Sequence, residues 1–416
     1  MPGRRLAARW LLPVEGPAVE RGAILIGSDG KIEAVGADAT VPHPPGVVAE
    51  SFGDAILLPG LVNTHTHLEL TGLAEGVPGH DFPAWVRRLR SRKAERSPEE
   101  FLAAARGGLA DCWAAGVTTI GDTGDSGAVI EALSTAGGCG VAYQEVFGPH
   151  PAQCEESLAG LQGRVEALGR FVGGRVAIGV SPHAPYTVSG RLYAVTAAWA
   201  DEEALPVAVH LAESPAETEL LTHGEGGFAE AWRGRGIPPP APLGRSPVEW
   251  LDCHGVLGER TLCIHLVQVT SGDIGLLSRA GVAVAHCPLS NRAHRHGAAP
   301  LDVLLSVGLR VGLGTDSVVS GGTLDLLAEA RAAAVLGGLD AEAALALCTV
   351  SGARALGLER EIGGLRVGKW GDCAVIRPGR ATAGLAPAAR VLASGPHDVV
   401  ATFVGGRDVH RAEPMS

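Results

Sequence analysis

The sequence predicts an α/β protein, a parallel (β/α)8 TIM barrel with a small β-sandwich domain formed by both chain ends. In the middle of the chain, eight short and nearly continuous apolar segments alternate with Ala-, Leu- and Arg-rich segments, as expected for strands buried on both faces. Histidines and acidic residues follow most of these segments, where such barrels carry their active sites. An open doubly wound sheet fits the same alternation, but the count of eight and the positions of the polar residues favour the barrel.

Two β-rich ends flank this middle region. A Gly-Ser-Asp-Gly turn at residues 27–30 joins two apolar segments, which predicts a hairpin. A similar pattern returns between residues 365 and 407. Because neither end is long enough to be stable alone, we expect them to pair into one domain, residues 1–57 and 359–416, beside a barrel at residues 58–358.

The predicted barrel strands supply the candidate site residues. In chain order these strands lie at residues 61–65, 117–121, 141–146, 176–181, 207–211, 262–266, 282–286 and 310–314. The polar side chains at or just after their C-terminal ends are His65, His67, His183, His210, Glu213, His265, His286 and Asp316. Since these strand ends meet at one rim of a barrel, we expect one site there. Two later histidines, His294 and His296, are expected in solvent or at the entrance.

Composition excludes several classes of protein. The 416 residues carry 34 basic and 45 acidic side chains, a net charge of −11, which argues against a nucleic-acid partner because phosphate binding needs cations. Hydrophobic residues make up 46% of the chain, enough for a sizeable core. Eight scattered cysteines favour a reducing cytoplasm, and no convincing signal peptide or membrane span is seen. We expect a soluble cytoplasmic protein with a small-molecule substrate, and a homodimer is one assembly open to it.

Four of the candidate residues predict a metal site. Residues i and i+2 of an extended strand face the same side, so His65 and His67 can present two imidazoles to one ion. His210 offers a third nitrogen, and Asp316 offers a carboxylate. This set and a water suit one catalytic zinc ion, or alternatively iron, with a position left for substrate. Asp316 could instead cap a helix after its strand.

Other candidate residues are predicted to move protons or contact substrate. Glu213 follows His210 by three residues, so its carboxylate can lie over the metal and shuttle a proton from bound water to substrate. The alternative is an exposed Glu in a first helical turn. His265, flanked by apolar residues, is predicted to polarise the leaving group or to assist proton transfer; the alternative is a hydrogen-bonded core histidine. His183 and His286 are predicted substrate contacts.

The whole pattern resembles the amidohydrolase superfamily. The resemblance rests on H-x-H after the first strand, H-x-x-E after the fifth, His after the sixth and G-T-D-S after the eighth. The segments H-A-P-Y at 183–186, H-L-A-E at 210–213 and C-P-L-S-N at 287–291 are similar to the branch of nucleoside and nucleobase deaminases and triazine chlorohydrolases. Members with two metals usually bridge them with a carboxylated lysine at the end of the fourth strand. Here that strand ends in Gly-Val-Ser at 179–181, so the resemblance implies one metal.

The resemblance also implies a reaction and a substrate class. Metal-bound water, deprotonated with help from Glu213 and Asp316, would attack a ring carbon, and ammonia would leave. The loop at residues 69–92, with Phe82 and Trp85, is similar to that of aminodeoxyfutalosine deaminases, which implies a 6-aminopurine nucleoside of the aminodeoxyfutalosine, adenosine or thioadenosine type. Both aromatics are expected to contact this substrate, although they could equally anchor the loop. The alternatives are a cytosine- or guanine-type base deaminase, a triazine chlorohydrolase and a cyclic-amide hydrolase.

Overall fold

The computed structural model describes residues 2–73, 81–241 and 244–413. Its strands are β1 (Arg4–Leu11), β2 (Val19–Ile26), β3 (Ile32–Ala37), β4 (Val48–Ser51), β5 (Ile56–Pro59), β6 (Leu61–Thr66), β7 (Val117–Gly124), β8 (Gly140–Val146), β9 (Val176–Pro182), β10 (Val207–Leu211), β11 (Thr261–His265), β12 (Ala283–His286), β13 (Arg310–Leu313), β14 (Cys373–Ile376), β15 (Val399–Val404) and β16 (Arg407–Arg411).

The helices lie mainly between the middle strands. They are α1 (Phe82–Ala94), α2 (Pro98–Ala114), α3 (Ala128–Ala136), α4 (Cys154–Leu168), α5 (Gly190–Glu202), α6 (Pro215–His223), α7 (Gly226–Arg233), α8 (Pro247–Cys253), α9 (Ser271–Ala280), α10 (Pro288–Ala293), α11 (Leu301–Ser306), α12 (Val318–Gly321), α13 (Leu326–Gly337), α14 (Ala341–Leu347), α15 (Val350–Ala355) and α16 (Pro387–Leu392). Within the described ranges, none of them has both the length and the apolar character needed to span a membrane.

Strands β6 to β13 form a parallel eight-stranded sheet in sequence order, which confirms the predicted barrel. Apolar side chains such as Val209 and Val284 fill the layer between strands and helices. The two edge strands, β6 and β13, approach at their C-terminal ends, where the Asp316 N–H donates to the His65 carbonyl at 3.0 Å. The ring therefore closes at the rim that carries the predicted metal ligands.

Local sequence fixes where several barrel helices begin. Ser97, Ser246 and Thr270 precede α2, α8 and α9, and each forms a capping box with an acidic residue three positions later. These caps satisfy backbone N–H groups that a helix start leaves without intrahelical partners. The strand-to-helix junctions around the barrel are thus encoded locally.

Strands from both chain ends form a second eight-stranded sheet, in the order β16-β15-β14-β5-β1-β2-β3 with β4 paired to β1. One apolar cluster joins Leu6 and Ile24 from the first end to Cys373 and Phe403 from the second. The predicted composite β domain is therefore confirmed. Strand β5 stays in this sheet as far as Pro59, beyond the predicted limit at residue 57, and the domain limits stay a proposal.

Candidate active site

The four predicted metal ligands converge at the barrel rim. His67 Nε2 lies 3.3 Å from His210 Nε2 and 3.5 Å from Asp316 Oδ1. His65 Nε2 lies 3.6 Å from the same Asp316 oxygen. Three overlapping groups of three side chains each have their ligand atoms within 4.8 Å of one another. The groups are His65, His210 and His265, then His65, His67 and Asp316, and finally His67, Glu145 and His210. The rim therefore holds imidazole and carboxylate donors around one centre.

The donor chemistry at this centre fits a divalent cation. The His183 carbonyl can only accept, so His210 Nδ1 donates to it at 3.1 Å and leaves a lone pair on Nε2. Burial lowers the pKa values of His67 and His210, so both rings are neutral. Among the described residues, neither ring nitrogen of the buried His65 has a hydrogen-bond partner. A cation would satisfy these facing lone pairs, as metal-bound histidines with a second hydrogen bond do.

Asp316 owes its position to the backbone and to two serines. Its Oδ2 accepts from Ser290 Oγ and its Oδ1 from the Ser317 N–H, each at 2.6 Å. Burial alone would raise the pKa of Asp316, but the neighbouring imidazoles hold it well below its usual range. Ser317 is the residue that caps α12, so the alternative that Asp316 is a helix cap is wrong. Gly314 permits the close approach, because a Cβ there would meet His65 Cβ at 2.7 Å.

Glu213, the predicted proton carrier, is buried beside His265 and Tyr186. It is 4% exposed, which excludes the alternative of an exposed residue in a helical turn. Tyr186 Oη donates to Glu213 Oε2 at 3.1 Å, and His265 Nε2 lies 3.6 Å from Oε1. Burial, with Asp316 and Glu217 nearby, raises the pKa of Glu213 well above its usual range. This carboxyl group can therefore hold a proton near neutral pH.

Glu217 fixes the backbone that carries Glu213. Its carboxylate accepts the N–H groups of Ala212 at 2.8 Å and Glu213 at 2.9 Å. Ala212 has a positive φ of 51°, a conformation that an alanine adopts only at a cost. The buried Glu217 side chain thus stabilises a strained backbone one residue before Glu213.

His265 points into the site with a defined tautomer. Asn291 Oδ1 accepts from His265 Nδ1 at 2.9 Å, so Nε2 carries the lone pair that faces Glu213. Burial lowers the pKa of His265 to about 3, so the ring is neutral. Its φ of 77° lies in the left-handed region, like that of Asp316 at 56°. Such outliers at strand ends are typical of functional sites.

A cavity of about 540 Å³ opens above these groups, a size typical of small-molecule sites. His67, His210, Glu213, His265 and Asp316 line it, together with the predicted substrate contacts Phe82, Trp85 and His183. The two aromatics lie in the first turns of α1 and also pack in an apolar cluster with Tyr186 and Phe228. They therefore both line the cavity and anchor α1. Residues 74–80 of the predicted loop lie outside the described residues.

The predicted substrate contact His183 lies beside the metal ligands. Its Nδ1 pairs with Thr187 Oγ1 at 2.8 Å, and its Nε2 lies 3.9 Å from Glu145 Oε1. Burial lowers the pKa of His183 to about 3. The neutral ring can donate or accept one hydrogen bond with a ligand in the cavity.

His286 is the one candidate that the structure does not bring to this site. Ala283 and Ala285 pack inside the barrel, whereas Val284 packs in the layer beneath the helices. Side chains alternate along a strand, so His286 points to the same outer layer as Val284. It is fully buried, and within the described chain neither ring nitrogen has a hydrogen-bond partner.

Sequence reasoning missed a charged network in the cavity wall. Lys93 on α1 donates to Glu69 Oε1 and Asp125 Oδ1, each at 2.6 Å, and Glu145 lies beside this network. The span 69–92 was predicted as a loop, so the helical spacing that aims Lys93 inward gave no signal. The histidines His294 and His296 were expected at the surface or the entrance. They are buried against Phe82 and Trp85 instead.

This fold and this donor set define a metal-dependent hydrolase of the barrel class. The chain belongs to the amidohydrolase family, whose sequence profile matches residues 56–409. It is thus an enzyme that hydrolyses carbon–nitrogen bonds.

Two curated relatives and one solved structure illustrate the similarity. The chain is 31% identical to the 5-methylthioadenosine/S-adenosylhomocysteine deaminase of Moorella thermoacetica, over 88% of this chain and 83% of the relative. It is 33% identical to the aminodeoxyfutalosine deaminase of Deinococcus radiodurans, over 76% of each chain. The crystal structure of a zinc-bound adenosine deaminase from Xanthomonas campestris superposes with a TM-score of 0.83 at 25% identity, over 97% of this chain and 92% of that chain.

Proposed function

We propose that the chain is a metal-dependent deaminase that releases ammonia from a 6-aminopurine nucleoside. The observation that carries this proposal is the placement of Glu213 and His265 over the converged imidazoles and Asp316, inside a cavity large enough for a nucleoside. Similar proteins are named for 5-methylthioadenosine, S-adenosylhomocysteine and 5′-deoxyadenosine. These are adenosine derivatives that differ at the 5′ position, so the shared reacting part is the aminopurine.

The metal proposed here is one divalent cation, zinc, with iron as the alternative. His65, His67, His210 and Asp316 would hold it, since neutral imidazoles and a carboxylate suit both ions. Bound there, the cation would lower the pKa of a water molecule towards neutrality.

Glu213 is the proposed proton carrier of the reaction. A water oxygen adds to the purine carbon that bears the amino group, and Glu213 takes one water proton and gives it to the adjacent ring nitrogen. This transfer avoids a ring anion, which would be costly in a buried site. By its hydrogen bond, Tyr186 stabilises the ionised form of Glu213 before it takes the proton and after it has given the proton away.

Asp316 and His265 complete the proton balance. Asp316 accepts the second water proton and passes it to the amino group, which leaves as ammonia while the ring carbon becomes a carbonyl. The lone pair on His265 Nε2 accepts a hydrogen bond from the attacking water and so orients it. His183, Phe82 and Trp85 bind the substrate along the cavity wall.

The decisive experiment compares wild-type protein with Glu213→Gln. The amide cannot carry the proton, so we expect kcat for ammonia release from 5′-deoxyadenosine to fall by about 10²–10⁴-fold while zinc content stays unchanged. Equal loss of metal and activity would contradict the assigned role. A substrate screen of the wild-type protein tests the alternatives. Each of three results would replace the nucleoside proposal by the corresponding alternative: preferred release of ammonia from cytosine or guanine, release of chloride from a chlorotriazine, or opening of a cyclic amide.

A reducing cytoplasm is the proposed location. All eight cysteines of the chain are free, and seven of them are buried. Disulfides are rare in cytosolic proteins, so free cysteines agree with that compartment. The homodimer stays a prediction.

A further inference from the structure

Two histidines that follow α10 are buried under α1 with their ring nitrogens unpaired. His294 is 6% exposed and His296 is 4% exposed. Within the described chain, none of their four ring nitrogens has a hydrogen-bond partner. Buried side-chain nitrogens nearly always have one, because an unpaired polar group in the interior costs free energy. Two apolar residues would pack here without that cost, so packing alone does not account for both histidines.

The two histidines differ in what their rings face. His296 Nδ1 lies 3.6 Å from Glu213 Oε1. His294 has no such contact with a carboxylate in the described chain, and its ring packs on Trp85 with the centroids 4.5 Å apart. The rings of His294 and His296 stack with their centroids 5.2 Å apart. One member of the pair is therefore directed at the proposed proton carrier, and the other packs behind it.

Glu213 Oε1 needs a hydrogen-bond donor that His265 cannot supply. Tyr186 donates to the other oxygen, Oε2. His265 faces Oε1 at 3.6 Å, but its proton lies on Nδ1, where Asn291 accepts it, so its Nε2 can only accept. Burial lowers the pKa of His296 to about 3, so its ring is neutral and carries one N–H. With the proton on Nδ1, His296 can donate to ionised Glu213.

The ionised form of Glu213 has unfavourable neighbours that such a donor would offset. Asp316, after β13, and Glu217, on α6, both raise the pKa of Glu213, as does burial. In the proposed reaction, Glu213 must be ionised before it can take a proton from water. The separation of 3.6 Å is slightly longer than a hydrogen bond, and the hydrogen bonds of catalytic groups often shorten when substrate binds.

The backbone around His296 fixes its position beside Glu213. The His296 N–H donates to the Asn291 carbonyl at 2.9 Å, and Gln268 Nε2 donates to the His296 carbonyl at 2.6 Å. Arg295, just before it, has a φ of 59°, which a non-glycine residue adopts only at a cost. Asn291 thus holds both imidazoles that face Oε1, His265 through its side chain and His296 through its backbone.

We infer that His296 is a positioning residue, which donates its Nδ1–H to Glu213 Oε1 and holds the ionised carboxylate ready to accept a proton. This inference rests on the proposed function, because it assigns His296 to the proton transfer by Glu213. His296 acts through Glu213, so its contribution should disappear when Glu213 no longer carries a proton.

The first test compares His296→Leu with His296→Asn in zinc-loaded, full-length protein. Leucine removes the donor, so we expect kcat for ammonia release from 5′-deoxyadenosine to fall by about tenfold, the size of one hydrogen bond to a charged group. The asparagine Nδ2 is three bonds from Cα, as the histidine Nδ1 is, so His296→Asn should keep kcat within about threefold of wild type. A kcat within twofold of wild type in His296→Leu, or an equal loss in both variants, would overturn the inference.

The matched control is His294→Leu. His294 is equally buried in the same stack but faces no carboxylate in the described chain, so kcat should stay within about twofold of wild type. A tenfold fall here would show that the stack, and not the donor, supports the rate. In a Glu213→Gln background, His296→Leu should lower kcat by no more than about twofold, because residues that act through one another are not additive. A further tenfold fall would contradict an action through Glu213.

The tautomer of His296 can be measured without a substrate. Two-bond 1H–15N correlation spectra of zinc-loaded protein labelled with 15N-histidine distinguish Nδ1–H from Nε2–H rings, and His296→Asn identifies the signal by its absence. Histidine in water favours Nε2–H. At pH 9, which favours ionised Glu213, we expect Nδ1–H in wild-type protein and Nε2–H in Glu213→Leu, which lacks the acceptor.

This spectrum separates the inference from the proposed function. If no nucleoside is deaminated but the Nδ1–H ring is present and is lost in Glu213→Leu, the contact of His296 with Glu213 stands and the deaminase proposal falls. An Nε2–H ring in wild-type protein, or an Nδ1–H ring that persists in Glu213→Leu, would overturn the inference whatever the activity.

Discussion

Strands β11 and β12 are neighbours, and each ends in a histidine, but only one of the two histidines enters the active site. His265 faces Glu213 at 3.6 Å, whereas His286 does not line the cavity and, by alternation with Val284, points to the layer between strands and helices. Alternation alone would send both outward, because Cys263 and Val284, two residues earlier, both pack in that outer layer. The difference is the backbone of His265, whose φ of 77° turns its side chain into the barrel mouth.

This contrast shows that a histidine at a strand end is an incomplete signal for a catalytic group. The strained backbone at His265 is held by its surroundings: Leu266 and Val267 donate N–H groups to the carbonyls of Leu211 and Ala212. The inward position of His265 thus depends on hydrogen bonds to the end of the neighbouring strand β10. His286 has no such strained backbone and follows the ordinary alternation.

The largest expected effect comes from His265→Asn. Asparagine tolerates the left-handed region better than most residues, so this change removes the imidazole while it keeps the unusual backbone. We expect kcat for ammonia release to fall by about 10²–10⁴-fold, as for loss of a group that takes part in proton transfer. Zinc content and the urea midpoint serve as controls and should stay near wild type. A kcat within threefold of wild type would show that His265 is only a core residue.

A smaller effect is expected from Asn291→Ala. The Asn291 oxygen fixes the proton on His265 Nδ1, and without it the ring can protonate Nε2 and present the wrong atom to the attacking water. We expect kcat to fall by about tenfold, the value of one buried hydrogen bond. Asn291→Asp also accepts from Nδ1, so it should restore most of the rate. If both variants lose the same rate, the tautomer is not the reason.

The barrel, the composite β domain and the converging ligands could be predicted because each depends on local patterns. Continuous apolar runs mark buried strands, and H-x-H or H-x-x-E places side chains at the end of a strand. Glu213 was predictable in this way from its spacing to His210. His265 was predicted as a site residue from its position at a strand end and from the family pattern, although strand periodicity alone would turn its side chain the other way.

The remainder of the site depends on tertiary contacts that no local pattern encodes. Lys93 and Arg90 reach the cavity because residues 82–94 form a helix across the barrel mouth, where a loop had been predicted. His286 was assigned to the site because it lies at the C-terminal end of a barrel strand. Its side chain, however, follows the alternation of β12 and points away from the barrel interior. Burial of His294 and His296 likewise follows from the packing of α1 over them.

Tyr186→Phe tests whether Glu213, whose carboxyl group faces His265, acts as the base. The Tyr186 hydrogen bond favours ionised Glu213 and lowers its pKa against the effect of burial. Without it the pKa of Glu213 rises further, and a base with a higher pKa loses activity at a higher pH. The acidic limb of the pH profile of kcat/KM should therefore move to higher pH, with a fall of about fivefold on that limb. A shift of the limb to lower pH would contradict the assignment of Glu213 as the base.

The smallest effect on activity is expected from His286→Leu, the counterpart of His265→Asn on the neighbouring strand. Since His286 lies outside the cavity, kcat should stay within about twofold of wild type. Stability should change instead, because burial lowers the pKa of His286 to about 4, below the ordinary value of about 6.5 in the unfolded chain. A depressed folded pKa stabilises the fold above pH 6.5, and this contribution is lost as the pH falls towards 4.

The measurement is urea unfolding of wild-type protein, His286→Leu and His286→Asn at pH 7 and pH 5. Wild-type protein should lose about 2 kcal/mol more stability between these pH values than either variant, because neither replacement titrates. Leucine should also be the more stable variant at pH 7, since asparagine leaves a buried polar group without a partner. A loss of kcat in His286→Leu with unchanged stability would show that His286 belongs to the active site. The two strand ends would then not differ in function.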